Sequence, residues 1–269
     1  MRGLALLAVV AAWPAAAQNG LDRLTTRDDL RGFEPVGRVD VAGGGFCTGA
    51  LIGPDLVLTA GHCILNDDGS AIPAQTITFR AGLADGVALV EAPVARTVVD
   101  PAFRMLDGAP LEMLELDVAL LELVQPIPTS VISPFVVAAP GKGDEVSVVS
   151  YAAGREEALS WQPVCHALDR QGALLAFDCD VAPGSSGAPV LDRTQYRARI
   201  VSIISSGSTM DGQPIAIGME LPARVAALKA ALRGGRVTSE APVGKARPLG
   251  KRITVGGGSG DTGARFVRP

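Results

Sequence analysis

The amino-acid sequence predicts an all-β protein, a sandwich or barrel, with one helix near its C-terminal end. Short apolar runs recur from Val36 onward, and turn-forming stretches such as Gly53-Pro54-Asp55 separate them. The 269 residues include 32 glycines and 19 prolines, which suits a chain with many turns. Many short strands at this spacing indicate a sandwich or barrel rather than alternating strands and helices.

Eight apolar runs mark the predicted strands. A segment with four prolines, from Pro126 to Gly143, lies between the fifth and the sixth of these runs and predicts a crossover between two halves of the fold. The runs are Ala50–Ile52, Leu56–Thr59, Thr76–Phe79, Val87–Val90, Val118–Leu123, Val146–Val149, Leu174–Phe177 and Ile200–Ile204.

The helix is predicted over residues 222–233. Pro222 suits its first turn, Val225, Leu228 and Leu232 fall on one face, and Gly234 suits its end. Residues 234–269 follow with 9 Gly and 3 Pro and no apolar periodicity, so we expect a flexible, basic, solvated tail.

The first residues predict export. Residues 1–17 have a basic start, an apolar run and a small-residue end, which is the layout of a cleaved signal peptide. The apolar run is shorter than the roughly 20 residues of a membrane span. Residues 18–33 are polar and charged and are interpreted as an extension or short propeptide before the folded body. We therefore expect a soluble protein that is secreted or periplasmic, without stable membrane insertion.

Composition and charge narrow the class further. The hydrophobic content of 48% with 19% charged residues fits a globular protein and excludes general disorder. The net charge is −4, but without Arg2 and the tail the chain holds 16 basic and 26 acidic residues. Such an acidic body argues against binding to nucleic acid.

The four cysteines are expected to pair in an exported chain. Three connectivities are possible, and we favour Cys47–Cys63 with Cys165–Cys179 because each closes a short loop between predicted strands. Zinc is the competing interpretation, but no pair has CxxC spacing and the chain has two histidines. The acidic turn Asn66–Ser70 is read as solvated rather than as a calcium site. No metal or cofactor is expected.

Three groups could carry nucleophilic catalysis. His62 follows an apolar run in "VLTAGHC" beside a cysteine that could anchor it, whereas His166 has polar flanks. Asp117 begins an apolar run in "LDVALLEL", and a buried carboxylate there needs a partner such as an imidazolium. Ser186 lies in "PGSSGAP", where Gly184 and Gly187 permit an unusual backbone. In that backbone the amides of Gly184 and Ser186 could form an oxyanion site.

The order His62, Asp117, Ser186 differs from the orders of α/β-hydrolases and of subtilisins. The blocks "CTGALIGPDLVLTAGHC", "LDVALLEL" and "PGSSGAPV" resemble the three signature blocks of the trypsin/chymotrypsin family of serine endopeptidases, with small bacterial secreted members the most similar. The resemblance covers roughly residues 34–233.

This resemblance implies two six-stranded antiparallel β-barrels with the active site between them. The domain would span residues 34–233, with barrel one over 34–128, barrel two over 140–221, and then the helix. His62 would be the general base and acid, Asp117 its orienting partner and Ser186 the nucleophile.

The chain departs from the family pattern in several places. Ser185 stands where members activated by N-terminal cleavage carry an aspartate. Asp180 stands six residues before Ser186, where trypsin-like members carry the acid that prefers Arg or Lys at P1, but Ala182 replaces a common cysteine. Ile204 stands where glutamyl endopeptidases usually have histidine, which argues against a glutamate preference.

Ser205 and Gly207 are the residues that the resemblance assigns to the strand that pairs with the substrate backbone. The sequence thus predicts a monomeric serine endopeptidase acting on protein or peptide substrates. The alternative is a catalytically silent relative that binds a peptide or protein in the same cleft.

Overall fold

The computed structural model describes residues 21–105, 110–141 and 145–242. The predicted signal peptide, 1–17, lies outside these residues. The elements of the described residues are β1 (Asp22–Leu24), β2 (Val36–Val41), β3 (Phe46–Gly53), β4 (Leu56–Thr59), β5 (Ile77–Ala81), β6 (Val90–Val99), α1 (Leu111–Leu114), β7 (Ala119–Leu123), β8 (Val136–Val137), β9 (Glu145–Ser150), β10 (Leu159–Gln171), β11 (Leu174–Phe177), β12 (Pro189–Asp192), β13 (Arg199–Met210), β14 (Gln213–Met219), α2 (Pro222–Arg233) and β15 (Ser239–Glu240).

The strands close into two six-stranded antiparallel barrels. In the first barrel the order is β2-β3-β4-β7-β6-β5, and β5 pairs with β2 to close it. In the second barrel the order is β9-β10-β11-β14-β13-β12, and β12 pairs with β9. The prediction of two barrels with a C-terminal helix is therefore confirmed.

Each barrel encloses apolar side chains, and a further cluster joins the two barrels. That cluster includes Leu120 of the first barrel, Ile203 of the second and Leu228 of α2, all buried. Helix α2 packs on β6 and β7 of the first barrel, although it follows the second barrel in the chain. Its buried residues are Val225, Leu228 and Leu232, the face that the sequence pattern indicated.

The two ends of the described chain cross over between the barrels. Strand β1 pairs with β10 of the second barrel, and β15 pairs with β6 of the first. Leu24, Leu30 and Phe33 are buried in the joint core. Residues 21–33, expected from their polarity to precede the folded body, are therefore part of it, because three isolated apolar side chains dock them.

The predicted tail also begins as an ordered segment. Residues 239 and 240 form β15, and the hydroxyl of Thr238 accepts a hydrogen bond from the backbone of Val99 at 2.9 Å. The tail prediction over 234–269 is corrected here for residues 234–242, whose backbone pairing does not depend on apolar periodicity. Residues 243–269 lie outside the described residues.

Candidate active site

His62 lies in a short 3₁₀ turn, Gly61–Ile64, directly after β4. The turn is tied to β3 because Cys63 forms a disulfide with Cys47. His62 is 2% exposed. The short turn and the disulfide to the neighbouring strand therefore fix the backbone that carries the His62 ring. A catalytic base requires such rigidity.

Asp117 is fully buried two residues before β7 and binds His62 twice. Its Oδ1 accepts the backbone N–H of His62 at 2.8 Å, and its Oδ2 lies 2.8 Å from Nδ1 of the ring. Ser205 of the second barrel donates its hydroxyl to Oδ2 at 2.5 Å. The carboxylate therefore fixes the backbone and the ring of His62 together.

The pKa of Asp117 follows from these contacts. Burial alone would raise it, but the charge of His62 and the hydrogen bonds from His62 and Ser205 outweigh that effect and hold the pKa below its ordinary value. An ionised Asp117 accepts a hydrogen bond from the Nδ1–H of His62, which leaves Nε2 as the ring atom able to take a proton. Within the described residues, Nε2 is buried and has no hydrogen-bond partner.

Ser186 lies in the loop between β11 and β12 and is fully buried. Its carbonyl oxygen accepts the backbone N–H of Thr48 on β3 at 2.9 Å, across the junction of the barrels. Thr48 is next to Cys47, which is bonded to Cys63 beside His62. The loop that carries Ser186 thus contacts the strand that anchors the turn of His62.

Two glycines allow the loop to approach this closely. Gly184 and Gly187 have φ values of +98° and +77°. A Cβ at Gly187 would lie 2.2 Å from the carbonyl oxygen of Thr48 and 2.3 Å from the hydroxyl of Thr59. A Cβ at Gly184 would lie 2.5 Å from the ring of Phe46. Both positions therefore need glycine for conformation and for space.

The residues predicted to bind substrate are placed differently from one another. Ser205 contacts Asp117, as described above, and Gly207 is half-buried on β13, opposite Ala216 of β14. Asp180 is exposed, and its backbone N–H donates to the side chain of Gln162 at 2.7 Å. The expectation of a buried carboxylate at a pocket floor is therefore not met at Asp180, because the residue directly follows the anchored Cys179 and turns to solvent.

The four cysteines form Cys47–Cys63 and Cys165–Cys179, the sequence-local pairing. Ligand atoms of Cys47, His62 and Cys63 lie within 4.8 Å of one another, a spacing seen in metal sites. Both sulfurs are bonded to each other, however, and metal binding by cysteine requires the thiolate. This cluster therefore does not fit a metal ion.

His166 makes the same pair of contacts at the surface. Its N–H donates to Oδ1 of Asp178 at 2.5 Å, and its Nδ1 lies 3.0 Å from Oδ2. The two side chains are 50% and 42% exposed, whereas those of His62 and Asp117 are 2% and 0% exposed. Burial, rather than hydrogen-bond geometry, is what distinguishes His62.

Thr48, which contacts the loop of Ser186, makes hydrogen bonds that sequence patterns did not reveal. The hydroxyl of Thr48 lies 3.0 Å from the carbonyl oxygen of Gly184 and accepts the N–H of Tyr151 at 3.0 Å. Thr48 belongs to the quoted block "CTGA", but its partners lie 103 and 136 residues away in the chain. No spacing rule indicates such contacts.

Comparisons with known proteins agree with this geometry. The family model for the trypsin-like peptidase domain matches residues 47–201. A solved structure of a Glu endopeptidase matches with 20% identity and a TM-score of 0.65, covering 82% of this chain and 98% of that one. A scabies mite inactivated protease paralogue, S-D1, matches with 15% identity and a TM-score of 0.61, covering 80% and 96%. At these identities the two structures show the shared fold. A search of curated proteins finds no significant match.

Proposed function

The chain belongs to the family of trypsin-like peptidase domains, and from this premise we propose that it is a secreted serine endopeptidase that uses Ser186, His62 and Asp117. One observation carries the proposal. A buried histidine has one ring nitrogen bound to a buried carboxylate, while the other, Nε2, has no hydrogen-bond partner among the described residues. A structural histidine in a core ordinarily has both nitrogens satisfied.

In the proposed reaction, Ser186 Oγ attacks the carbonyl carbon of the scissile peptide bond while His62 Nε2 takes the hydroxyl proton. Asp117 stabilises the resulting imidazolium. The N–H groups of Gly184 and Ser186 donate to the oxyanion of the tetrahedral intermediate. The C–N bond then breaks, and His62 returns the proton to the leaving amine. Water attacks the acyl-enzyme by the same route and releases the acid.

Substrate selection in this proposal involves β13 and Asp180. We assign Ser205 and Gly207 on β13 to the backbone of the substrate. A preference for Arg or Lys at P1 rests on Asp180, whose exposed carboxylate gives only a solvent-screened attraction. We therefore expect a basic preference to be small. Ile204, apolar and buried, offers no charge or hydrogen-bond donor to a glutamate side chain.

Export is supported by the N-terminal sequence and by the two disulfides, which persist in oxidising compartments. Within the described residues no helix is long and apolar enough to cross a membrane. A periplasmic or extracellular location follows as the proposal, with proteins or peptides as substrates and a monomer as the acting species.

The second candidate is a catalytically silent relative that binds a peptide or protein in the same cleft. It is favoured by one comparison, since a structure named as an inactivated protease paralogue has the same fold. Ser185 also favours this alternative, because it stands where family members activated by cleavage carry an aspartate. A pure binding module, however, has no need of the buried contacts between His62, Asp117 and Ser205.

Labelling with a fluorophosphonate probe separates the two candidates. The exported protein should react at Ser186, and Ser186→Ala should abolish labelling while keeping the folded state. His62→Ala should slow labelling strongly, because the probe needs an activated hydroxyl. Absence of labelling in folded, signal-processed protein would exclude the endopeptidase and leave the binding module. A peptide library then measures the P1 preference, with Asp180→Ala as its control.

A further inference from the structure

A turn at residues 150–155 contacts the peptide that carries one proposed oxyanion donor. The backbone N–H of Ala153 donates to the carbonyl oxygen of Pro183 at 2.7 Å. The peptide between Pro183 and Gly184 is planar, so in the trans form its N–H points opposite to its carbonyl. The hydrogen bond from Ala153 therefore sets the direction of the Gly184 N–H.

Arg155 holds this turn in shape. Its backbone N–H donates to the carbonyl oxygen of Ala152 at 2.9 Å. Its Nη1 donates to the carbonyl oxygen and lies 3.2 Å from the hydroxyl of Ser150, at the end of β9. The side chain thus closes the turn back on its own first residue, with Ala153 between the two anchored ends.

The same guanidinium reaches the loop of Ser186 through two buried hydroxyls. The hydroxyl of Ser150 lies 3.2 Å from that of Ser185, and Ser185 Oγ accepts the N–H of Ala182 at 3.3 Å. Ser150 Oγ accepts from Arg155, and either hydroxyl can be the donor between Ser150 and Ser185. A continuous chain of hydrogen bonds therefore runs from Arg155 to the residue that precedes Ser186.

Arg155 is the charged side chain of this turn, and it interacts electrostatically with Asp180. Burial lowers the pKa of Arg155, and the charge of Asp180 opposes that effect. The guanidinium nevertheless stays protonated at any pH at which the protein is folded. A retained, half-buried cation costs desolvation, and the hydrogen bonds to Ser150 together with the charge of Asp180 offset that cost.

We propose that Arg155 is a positioning residue for the oxyanion site, acting through Ser150, Ser185 and the Ala153–Pro183 hydrogen bond to aim the N–H of Gly184. This inference rests on the proposed endopeptidase activity. It assigns Arg155 no contact with substrate. Its effect is on the transition state, where the oxyanion forms, and not on the binding of the uncleaved peptide.

The test measures kcat and KM separately for Arg155→Met, which keeps the length of the stem but loses the charge and the donors. We expect kcat to fall about 10- to 100-fold, less than the full loss of a donor, with KM within about twofold. Arg155→Lys should recover a large part of kcat. Arg199→Met is the matched control: Arg199 is also partly buried and paired with Asp192 on the second barrel, and its loss should leave kcat unchanged.

A double-mutant cycle tests the route. If Arg155 acts through Ser185, then Arg155→Met with Ser185→Ala should lose little more kcat than the more damaging single variant. Full additivity, or an Arg155→Met variant with kcat within twofold of wild type, would overturn the inference. If Arg155→Met does not fold, Arg155→Gln replaces it, since it keeps a donor and loses the charge; an unchanged kcat there overturns the inference equally.

The two possible failures are distinguishable. A wild-type protein that neither labels with fluorophosphonate nor cleaves peptides contradicts the proposed function. A wild-type protein that labels, together with an Arg155→Met variant that labels at the same rate, contradicts only the role of Arg155. Thermal unfolding of each variant, measured beside the kinetics, identifies a variant whose loss of kcat comes from unfolding.

Discussion

Thr48→Val should destabilise the protein, because it removes a buried hydroxyl that has two hydrogen-bond partners from the second half of the chain. The hydroxyl of Thr48 is fully buried, accepts the N–H of Tyr151 and lies 3.0 Å from the carbonyl oxygen of Gly184. Valine has the same shape and makes neither hydrogen bond. Two buried backbone groups lose their partner, at about 1–3 kcal/mol each, so we expect a loss of at least about 2 kcal/mol.

Thr97→Val is the matched control. Thr97 is equally buried, and within the described residues its hydroxyl has no hydrogen-bond partner. The same substitution there should be neutral or slightly stabilising, because it removes an unsatisfied polar atom. The difference between the two variants isolates the hydrogen bonds of Thr48 from the general effect of replacing a hydroxyl by a methyl.

Urea unfolding under non-reducing conditions measures both variants, in a Ser186→Ala background that excludes self-digestion. With a slope of about 2 kcal/mol per molar urea, Thr48→Val should lower the midpoint by about 1 M relative to Thr97→Val. Equal midpoints would refute the claim that Thr48 joins the first barrel to the loop of Ser186. In the active background, Thr48→Val should also lower kcat, because the carbonyl of Gly184 loses a partner.

Three further outcomes are expected. Gly187→Ala should cost at least about 2 kcal/mol more unfolding free energy than Gly212→Ala. Both glycines have a φ of +77°, but only a Cβ at Gly187 would meet backbone atoms. Urea midpoints of the two variants measure the difference. As the pH falls from about 6 to 2.5, wild type should lose more unfolding free energy than Asp117→Asn. The pKa of Asp117 is lower in the folded protein than in the unfolded chain, where it is near 3.9. Its contribution to stability is therefore complete above the unfolded pKa and disappears as the pH falls through the folded pKa. Equal acid sensitivity would contradict this. Replacing Cys165 and Cys179 by alanine opens a 14-residue loop and should cost about 3 kcal/mol of unfolding free energy, with an unchanged Tm counting against it.

Strands that are apolar and bounded by turn residues could be predicted from the sequence. The runs Leu56–Thr59 and Leu174–Phe177 match β4 and β11 residue for residue. β10 gave no such signal, because much of its surface is exposed and polar and Pro163 interrupts it at an irregular register. β6 was expected at Val87–Val90 but runs from Val90 to Val99, where Glu91 and Arg96 interrupt the apolar residues.

The candidate site also has a part that could be predicted from the sequence and a part that could not. His62 and Ser186 stand in recognisable local motifs. The roles of Thr48 and Arg155 depend on which loops become neighbours after folding. Asp180 shows the limit of counting along the chain: its distance from Ser186 in sequence suggested a pocket floor, and the disulfide at Cys179 turns it outward.

The two ends of the described chain each pair with the opposite barrel, and this affects how the protein responds to a single cut in its backbone. The connection between the barrels is exposed near Val131, and each disulfide lies within one barrel, so a cut there leaves two fragments with no covalent link. The N-terminal fragment still contributes β1 to the second barrel, and the C-terminal fragment still contributes α2 and β15 to the first. The two pieces therefore hold each other through these exchanged elements, and the protein cut at this connection should keep its shape and migrate as one particle until it is denatured.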